Sequence, residues 1–165
     1  MKTKLLLLLL LPLLMGASCK KDKDNGLTKP TQIGANTFSC KINGQIFTPK
    51  QDLFGPTPLY SQVDIYNGNN TLNISASNPN TYITNMHFNI NSFKGVGEYS
   101  IDIINGVYVD CYLNIPSPNL EKSQSGTIRI TKYQGEIVSG TFEFNLKHGT
   151  ENIAVTSGRF DLTLR

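Results

Sequence analysis

The 165 residues suffice for one domain with a leader and a short connecting segment, and the formal net charge is +3. The excess positive charge lies in the first 34 residues, because residues 35–165 carry nine basic and ten acidic side chains. A nearly neutral folded part lacks the clustered basic surface of a nucleic-acid binder. Abundant asparagine and glycine favour strands and turns over helices.

The chain begins with the pattern of an exported protein. Lys2 and Lys4 precede an apolar run, Leu5–Met15, which is interrupted only by Pro12. This run is shorter than the roughly 17–25 residues that a transmembrane helix needs. Its length is typical of the core of a signal peptide. The sequence therefore predicts a signal peptide over residues 1–18.

A cysteine follows the leader directly. Gly16, Ala17 and Ser18 precede Cys19, and this order resembles the lipobox of bacterial lipoproteins, although Gly16 stands where the commonest lipobox has leucine. In that family a diacylglycerol is joined to the cysteine sulfur and the leader is cleaved before it. The resemblance implies lipidation (palmitate or a similar acyl chain) at Cys19 and an anchor in the outer membrane. An ordinary secretory signal, cleaved after Ala17 or Ser18, is the alternative.

A charged segment, Lys20–Asp24, comes next. It resembles the export signal that follows the cysteine in Bacteroidota-type surface lipoproteins, which implies display on the cell surface. The alternative is a solvated tether on a lipoprotein that faces the periplasm. Gly26, Pro30 and Gly34 break any apolar period, so we expect a flexible linker over residues 19–34.

The remainder, residues 35–165, shows strand signals that are separated by Asn, Gly, Pro and Ser turns. Thr37–Ile42 and Gln45–Pro49 flank Asn43-Gly44, which predicts a two-residue hairpin that pairs Cys40 with Phe47. Further strands are expected at 59–66, 71–75 and 82–90. A second tight hairpin is expected from 98–104 and 107–115 around Asn105-Gly106, followed by a loop over 116–125.

The last third alternates most regularly, with strands expected at 126–133, 138–147, 152–156 and 158–164. The expected inward side chains are Phe142, Phe144, Leu146, Phe160, Leu162 and Leu164. The expected outward ones include Thr141, Glu143, Asn145, Arg159, Asp161 and Thr163. This pattern of one buried and one solvent-exposed face predicts an antiparallel β-sandwich of about nine or ten strands, with a β-barrel as the alternative.

Two further motifs carry a resemblance. Phe38–Gly44, together with the Gly-x-Phe segments that begin at Gly140 and Gly158, is similar to a group of small, uncharacterised Bacteroidota-type lipoproteins with a predicted β-sandwich. The similarity covers residues 35–165. It implies the fold and an envelope location, and it brings no activity and no functional residues.

Two cysteines remain beside Cys19. Cys40 shares a face with Phe38 and Ile42, and Cys111 also lies on an apolar face. In an oxidising compartment, an even number of buried cysteines permits a disulfide between Cys40 and Cys111. Two buried free thiols, each acting as a small hydrophobic side chain, are the alternative.

Motifs for catalysis are largely missing from the sequence. The two histidines, His87 and His148, are expected at the surface, and no metal-binding, nucleophile-elbow or nucleotide-binding spacing occurs. A glycosidase needs only two carboxylates, and a pair such as Asp102 and Asp110 is available. We therefore predict no enzyme, no metal and no cofactor, with a hydrolase as a lesser alternative.

Binding is the favoured class of function. Tyr108 and Tyr112 lie on the strand face opposite Cys111, and Tyr60 and Tyr66 alternate with the apolar positions of their strand. Tyrosines on an outer face stack sugars or anchor a protein partner, although tyrosine also suits half-buried strands. The sequence predicts a lipid-anchored binding module for a protein or glycan partner. An envelope component without a dissociable ligand is the alternative.

Overall fold

The chain forms strands and no helix within the residues that the structure describes. This computed structural model describes residues 26–51, 55–66, 68–116 and 120–165, with the backbone alone for Tyr66. The predicted signal peptide and Cys19 lie outside these residues. The strands are β1 (Thr37–Ile42), β2 (Gln45–Phe47), β3 (Leu59–Tyr66), β4 (Asn69–Ser77), β5 (Ile83–Ile90), β6 (Gly97–Ser100), β7 (Val107–Leu113), β8 (Leu120–Gln134), β9 (Ile137–His148) and β10 (Glu151–Thr163).

All strands belong to one antiparallel sheet that curls into a half-barrel, which confirms the all-β, sandwich-like or barrel-like class. The order is β2-β1-β10-β9-β8-β7-β5-β4-β3, and β6 pairs with β8. The long strand β8 joins the two halves, because its first residues pair with β7 and its later residues with β9. The edge strand β3 also contacts the residues at the end of β10, since Arg165 N–H donates to Ser61 O at 3.0 Å.

The two halves of the sheet face each other across an aromatic core. The ring of Phe88 on β5 lies 5.8 Å from that of Phe38 on β1 and 4.8 Å from that of Phe142 on β9. Phe142, Phe144, Leu146, Phe160 and Leu162 are buried as predicted. Burial of each such side chain contributes about 1.5–3 kcal/mol, so these contacts hold the two halves together.

The repeated Gly-x-Phe segments pack against each other. In the register of β9 with β10, Gly140 lies opposite Phe160 and Gly158 lies opposite Phe142. A Cβ atom at Gly158 would overlap the Phe142 ring, and one at Gly140 would overlap the Phe160 ring. Each glycine therefore provides the space that the phenylalanine of the neighbouring strand fills.

The first predicted hairpin is confirmed. Cys40 pairs with Phe47, and both turn residues have positive φ, 46° at Asn43 and 84° at Gly44. These two angles are those of a type I′ turn, which Asn-Gly favours because both residues tolerate the left-handed region.

The second predicted hairpin is wrong. β6 pairs with β8 and β7 pairs with β5, and the two segments share only an isolated bridge between Asp102 and Val107. The Asp102 carboxylate does accept the N–H groups of Ile104 and Asn105, so a tight turn forms. The strand before the turn nevertheless joins the other half of the sheet. The loop predicted over 116–125 is also corrected, because β8 begins at Leu120.

The last two predicted strands form one strand, β10, which is bent at a bulge. The register shifts between Val155 and Gly158, and Ser157 has a φ of 54°. Beyond the bulge, the prediction that Asp161 points into solvent is wrong, because only 1% of this residue is exposed.

Asp161 is buried because an N-terminal strap, residues 26–36, covers it. Five groups donate hydrogen bonds to its carboxylate at 2.6–3.2 Å: the hydroxyls of Thr31 and Ser139 and the N–H groups of Ile33, Gly34 and Ala35. Arg159 also donates to Thr28 O at 3.0 Å. The described part of the expected linker thus lies against β10 and its neighbours.

These hydrogen bonds determine the ionisation of Asp161. Burial alone would raise its pKa, but the hydroxyls of Thr31 and Ser139 and the amides of Gly34 and Ile33 outweigh burial and hold the pKa far below its usual value. The carboxylate therefore stays ionised and keeps its five donors throughout the neutral and mildly acidic range.

We expect Asp161→Asn to lower the free energy of unfolding by about 2–3 kcal/mol, because hydrogen bonds to a charged group are lost and amide donors then face an NH₂ group. Urea unfolding of the purified protein measures this loss. The exposed Glu143→Gln on β9 is the matched control and should change stability by no more than about 0.5 kcal/mol. Equal effects of the two substitutions would contradict the role assigned to Asp161.

The same pair of proteins has an expected pH dependence. A depressed native pKa stabilises the fold at pH values above the unfolded pKa and loses this effect as the pH falls towards the native pKa. The stability difference between the unsubstituted chain and Asp161→Asn should therefore be constant at neutral pH and shrink below about pH 4. A difference that grows on acidification would contradict this sign.

Candidate functional site

One half of the sheet presents an outer surface, which we call the polar face, on β3, β4, β5 and β7. The inward residues of these strands, such as Leu72, Ile74 and Phe88, are buried in the core. Because side chains alternate along a strand, the residues between them point outwards. The polar face consists of Tyr60, Gln62, Asp64, Asn73, Ser75, Ser77, Asn85, His87, Asn89, Tyr108, Asp110 and Tyr112.

Strand register arranges these side chains in three rows that run across the strands. The first, which we call the amide row, contains Tyr108, Asn89, Asn73 and Gln62. The second contains Asp110, His87, Ser75 and Tyr60. The third contains Tyr112, Asn85 and Ser77. Each row therefore has a tyrosine at one end and hydrogen-bonding side chains in its middle.

The amide row is a directional chain of hydrogen bonds. Asn89 Nδ2 donates to Asn73 Oδ1 at 3.1 Å, and Asn73 Nδ2 donates to Asp64 Oδ2 at 2.9 Å. Gln62 Nε2 donates to the same carboxylate oxygen at 2.5 Å. At the other end, Asn89 Oδ1 is buried and has no hydrogen-bond partner among the described residues. This series of hydrogen bonds therefore begins at Asn89, whose own side-chain oxygen accepts none from the described residues.

The predicted tyrosines do not form one contiguous ladder. Tyr108 and Tyr112 lie on β7, and Tyr60 lies three strands away on β3, a separation of about 14 Å. The exposed fraction is 37% for Tyr60 and 46% for Tyr112. The side chain of Tyr66 lies outside the described part of the chain. The tyrosines thus flank a polar strip instead of forming a stacking platform by themselves.

The β7 margin of the face is fixed by Lys122 on β8. Its Nζ lies 2.6 Å from Asp110 Oδ1 and 4.1 Å from the centre of the Tyr108 ring. This ammonium therefore balances the nearer carboxylate and holds the tyrosine ring at the same time. The polar face with Lys122 contains two carboxylates and one ammonium, so its charge is small.

The asparagines are the part of the site that sequence reasoning missed. Asn85, His87 and Asn89 alternate with buried residues along β5, a pattern equally typical of any solvated strand face. The repeated Asn at alternate positions was the available signal. The alignment of Asn89 with Asn73 and Gln62 depends on the register of three strands, which the sequence alone does not give.

The acidic pair considered for hydrolysis is already engaged. Asp102 accepts hydrogen bonds from the turn residues Ile104 and Asn105, including one of 2.6 Å from Asn105 Nδ2, and Asp110 pairs with Lys122. His148 Nδ1 lies 3.0 Å from Glu121 Oε1. Among the described residues, no three His, Cys, Asp or Glu side chains are grouped closely enough to hold a metal ion.

A surface groove lies on the other half of the sheet. This groove of about 650 Å³ is bordered by Glu98, Arg129, Thr141 and Arg159. Arg129 forms an ion pair with Glu98 at 2.5 Å, and Arg159 donates to the strap at Thr28 O. The guanidinium groups therefore already have partners within the chain.

The predicted disulfide is not formed in the structure. Cys40 and Cys111 are free thiols with no exposed surface, which is the alternative outcome. Burial raises the pKa of Cys40 to about 12 and raises that of Cys111 well above its usual value. Each cysteine packs in the apolar core as a small hydrophobic side chain, a role that needs no covalent partner.

We expect both thiols to resist alkylation by iodoacetamide in the native protein, because they are buried and protonated. Both should react after unfolding in guanidinium chloride, and intact-mass measurement then shows two additional adducts. If the unreduced protein instead has a mass lower by two hydrogens and takes up neither adduct after unfolding, the cysteines are bridged.

Comparison with known proteins leaves the family open: no protein-family model, no curated protein and no solved structure matches this chain. Among the described residues, no helix is long and apolar enough to cross a membrane.

Proposed function

We propose that this chain is a lipid-anchored protein of the cell envelope that binds a partner through its polar face. The leader and Cys19 support export and anchoring, since they follow the order of a bacterial lipobox. The observation that carries the binding proposal is the set of three cross-strand rows, each with a tyrosine at one end of a run of hydrogen-bonding side chains.

The other half of the same sheet provides an internal comparison. Its outer surface presents charged side chains, among them Glu98, Arg129, Glu143 and Lys147, as is usual for strands that only face water. Nine of the twelve side chains of the polar face are amides, hydroxyls or tyrosines, and the other three are Asp64, His87 and Asp110. This difference within one sheet supports a role for the polar face beyond solubility.

The position of the strap is consistent with this proposal. Thr28 bonds to Ser39 of β1, and four residues of the strap bond to Asp161 of β10, namely Thr31, Ile33, Gly34 and Ala35. The strap therefore lies on the half of the sheet opposite to the polar face. The polar face is not covered by the strap and is available to a partner.

Anchoring is tested by Cys19→Ala. We expect this variant to move from the membrane fraction to the soluble fraction, because the acyl chains that hold the protein to the bilayer have no attachment site. Cell fractionation and intact mass measure both changes. Cys40→Ala is the matched control and should stay in the membrane fraction with its acyl chains, whereas retention of the Cys19→Ala domain would contradict a lipid anchor at this position.

Binding is tested by placing a photo-crosslinking amino acid at single positions of the full chain in intact cells of the native host. We expect a crosslinked product from Ser75, in the middle of the polar face, and none from Thr141, an exposed position on β9. Gel shift and mass spectrometry detect the product. The polar face would lose its proposed role if Thr141 gave the same products as Ser75, or if neither position gave any.

A further inference from the structure

The spacing of the amide row corresponds to a repeating ligand. Gln62, Asn73 and Asn89 stand on three successive strands, and neighbouring strands lie about 4.8 Å apart. A linear polysaccharide presents one sugar ring at a similar interval along its length. A glycan lying across the strands would therefore bring successive sugars to successive carboxamide groups.

The chemistry of the row corresponds to hydroxyl groups. A carboxamide has two N–H donors and an oxygen with two lone pairs, and a hydroxyl both donates and accepts. The hydrogen bonds within the row use only part of this capacity, since Asn89 Nδ2, Asn73 Nδ2 and Gln62 Nε2 each make one of them. Donors and acceptors for an incoming hydroxyl therefore remain side by side along the row.

Asn89 Oδ1 is the most specific of these groups. It is a buried acceptor without a partner among the described residues, a state that folded proteins usually avoid. The oxygen has almost no exposed surface, so a ligand reaches it only where side chains at this position move aside. A sugar hydroxyl needs the smallest such movement, whereas the ammonium or guanidinium group of a protein partner is bulkier and charged.

The charges of the face select against an acidic ligand. Recognition of uronic acids, sulfates or phosphates relies on Arg or Lys side chains. Lys122, at the margin, is committed to Asp110 and to the ring of Tyr108, and Asp64 lies at the opposite end of the amide row. An anionic polymer would meet a carboxylate without a compensating cation, so a neutral one is favoured.

From these four observations we infer that the polar face binds a neutral, extended glycan, which lies along the amide row and packs its sugar rings against Tyr108 and Tyr60. This inference rests on the proposed function and names the ligand class of the same site. Tyrosine supplies the apolar ring face for the sugar, and the amides supply the hydrogen bonds that fix its direction.

The test is isothermal titration of the detergent-solubilised full chain with named polysaccharides. The neutral probes are laminarin, xyloglucan, glycogen and yeast mannan, and the anionic probes are polygalacturonate and heparin. We expect binding to at least one neutral probe and none to the anionic ones. Binding to an anionic probe alone, or to no probe at all, overturns the inference.

Three variants locate the site. Asn73→Ala and Asn89→Leu should each weaken binding of the neutral probe by about tenfold, the effect of losing one or two hydrogen bonds. Asn145→Ala, an exposed asparagine on the outer surface of β9, is the matched control and should bind normally. Equal affinities of all three variants would contradict binding along the amide row.

Asn89→Leu also separates binding from folding. Asn89→Leu removes the unpaired acceptor together with the hydrogen bond that Asn89 Nδ2 donates to Asn73 Oδ1. We expect a small fall in its thermal midpoint, with the variant fully folded at the temperature of the titration, while its affinity for the neutral probe falls about tenfold. Loss of binding only in proportion to loss of folding would contradict a direct contact.

The outcomes distinguish this inference from the proposed function. Should no polysaccharide bind while Ser75 crosslinks to a protein in cells, the glycan is wrong and the polar face remains a binding site. Should neither experiment give a product, both proposals are wrong.

Discussion

The contact of Phe88 with Phe38 and Phe142 is the interaction on which the rest of the structure depends. It joins strands from the two halves of a single curled sheet and so defines which side of that sheet is inside. Once the inner side is fixed, the two-residue period of a strand fixes every outer position as well. The rows of the polar face are therefore a consequence of core packing, since a shift of one residue in β5 would place Phe88 outside and Asn89 in the core.

A second constraint acts through Asp161. An ionised carboxylate is costly to bury, and five donors compensate for that cost in this protein. Three of the donors are backbone amides of the strap, which have no other strand to pair with. The carboxylate thus takes the place of a neighbouring strand for residues 33–35 and attaches the chain to the sheet before β1 begins.

The sequence predicts best what is decided locally. The Asn43-Gly44 turn and the alternation of Phe142, Phe144 and Leu146 depend on neighbouring residues only, and both are found as predicted. The pairing of β6 with β8 was missed, because the turn at residues 102–107 forms locally while the choice of partner strand is made across the whole sheet. Asp161 was misplaced because alternation identifies a face and says nothing about a distant segment that later covers it.

In the candidate site, too, local features were predictable from the sequence and features that depend on distant strands were not. Its tyrosines were identified from the sequence, since their residue type and position on the strand indicate an outer face. The separation of their two strands, β3 and β7, was not predictable, because it follows from strand order. The amide row could not be predicted for a further reason. Gln62, Asn73 and Asn89 are each ordinary surface residues, and only the register of β3 with β4 and of β4 with β5 brings them together.

The hydrogen bond from Arg165 N–H to Ser61 O has a consequence for the behaviour of the protein at high concentration. β3 is an edge strand of eight residues that pairs with β4 without a bulge, and it contains neither Lys nor Pro. Such edges recruit strands from other molecules and lead to aggregation. Here the end of β10 occupies part of the edge: Arg165 satisfies one outward carbonyl, and Ser61 Oγ in turn donates to Thr163 O at 3.2 Å. The contact between β3 and the end of β10 thus shortens the open edge and leaves less of it for another molecule to pair with.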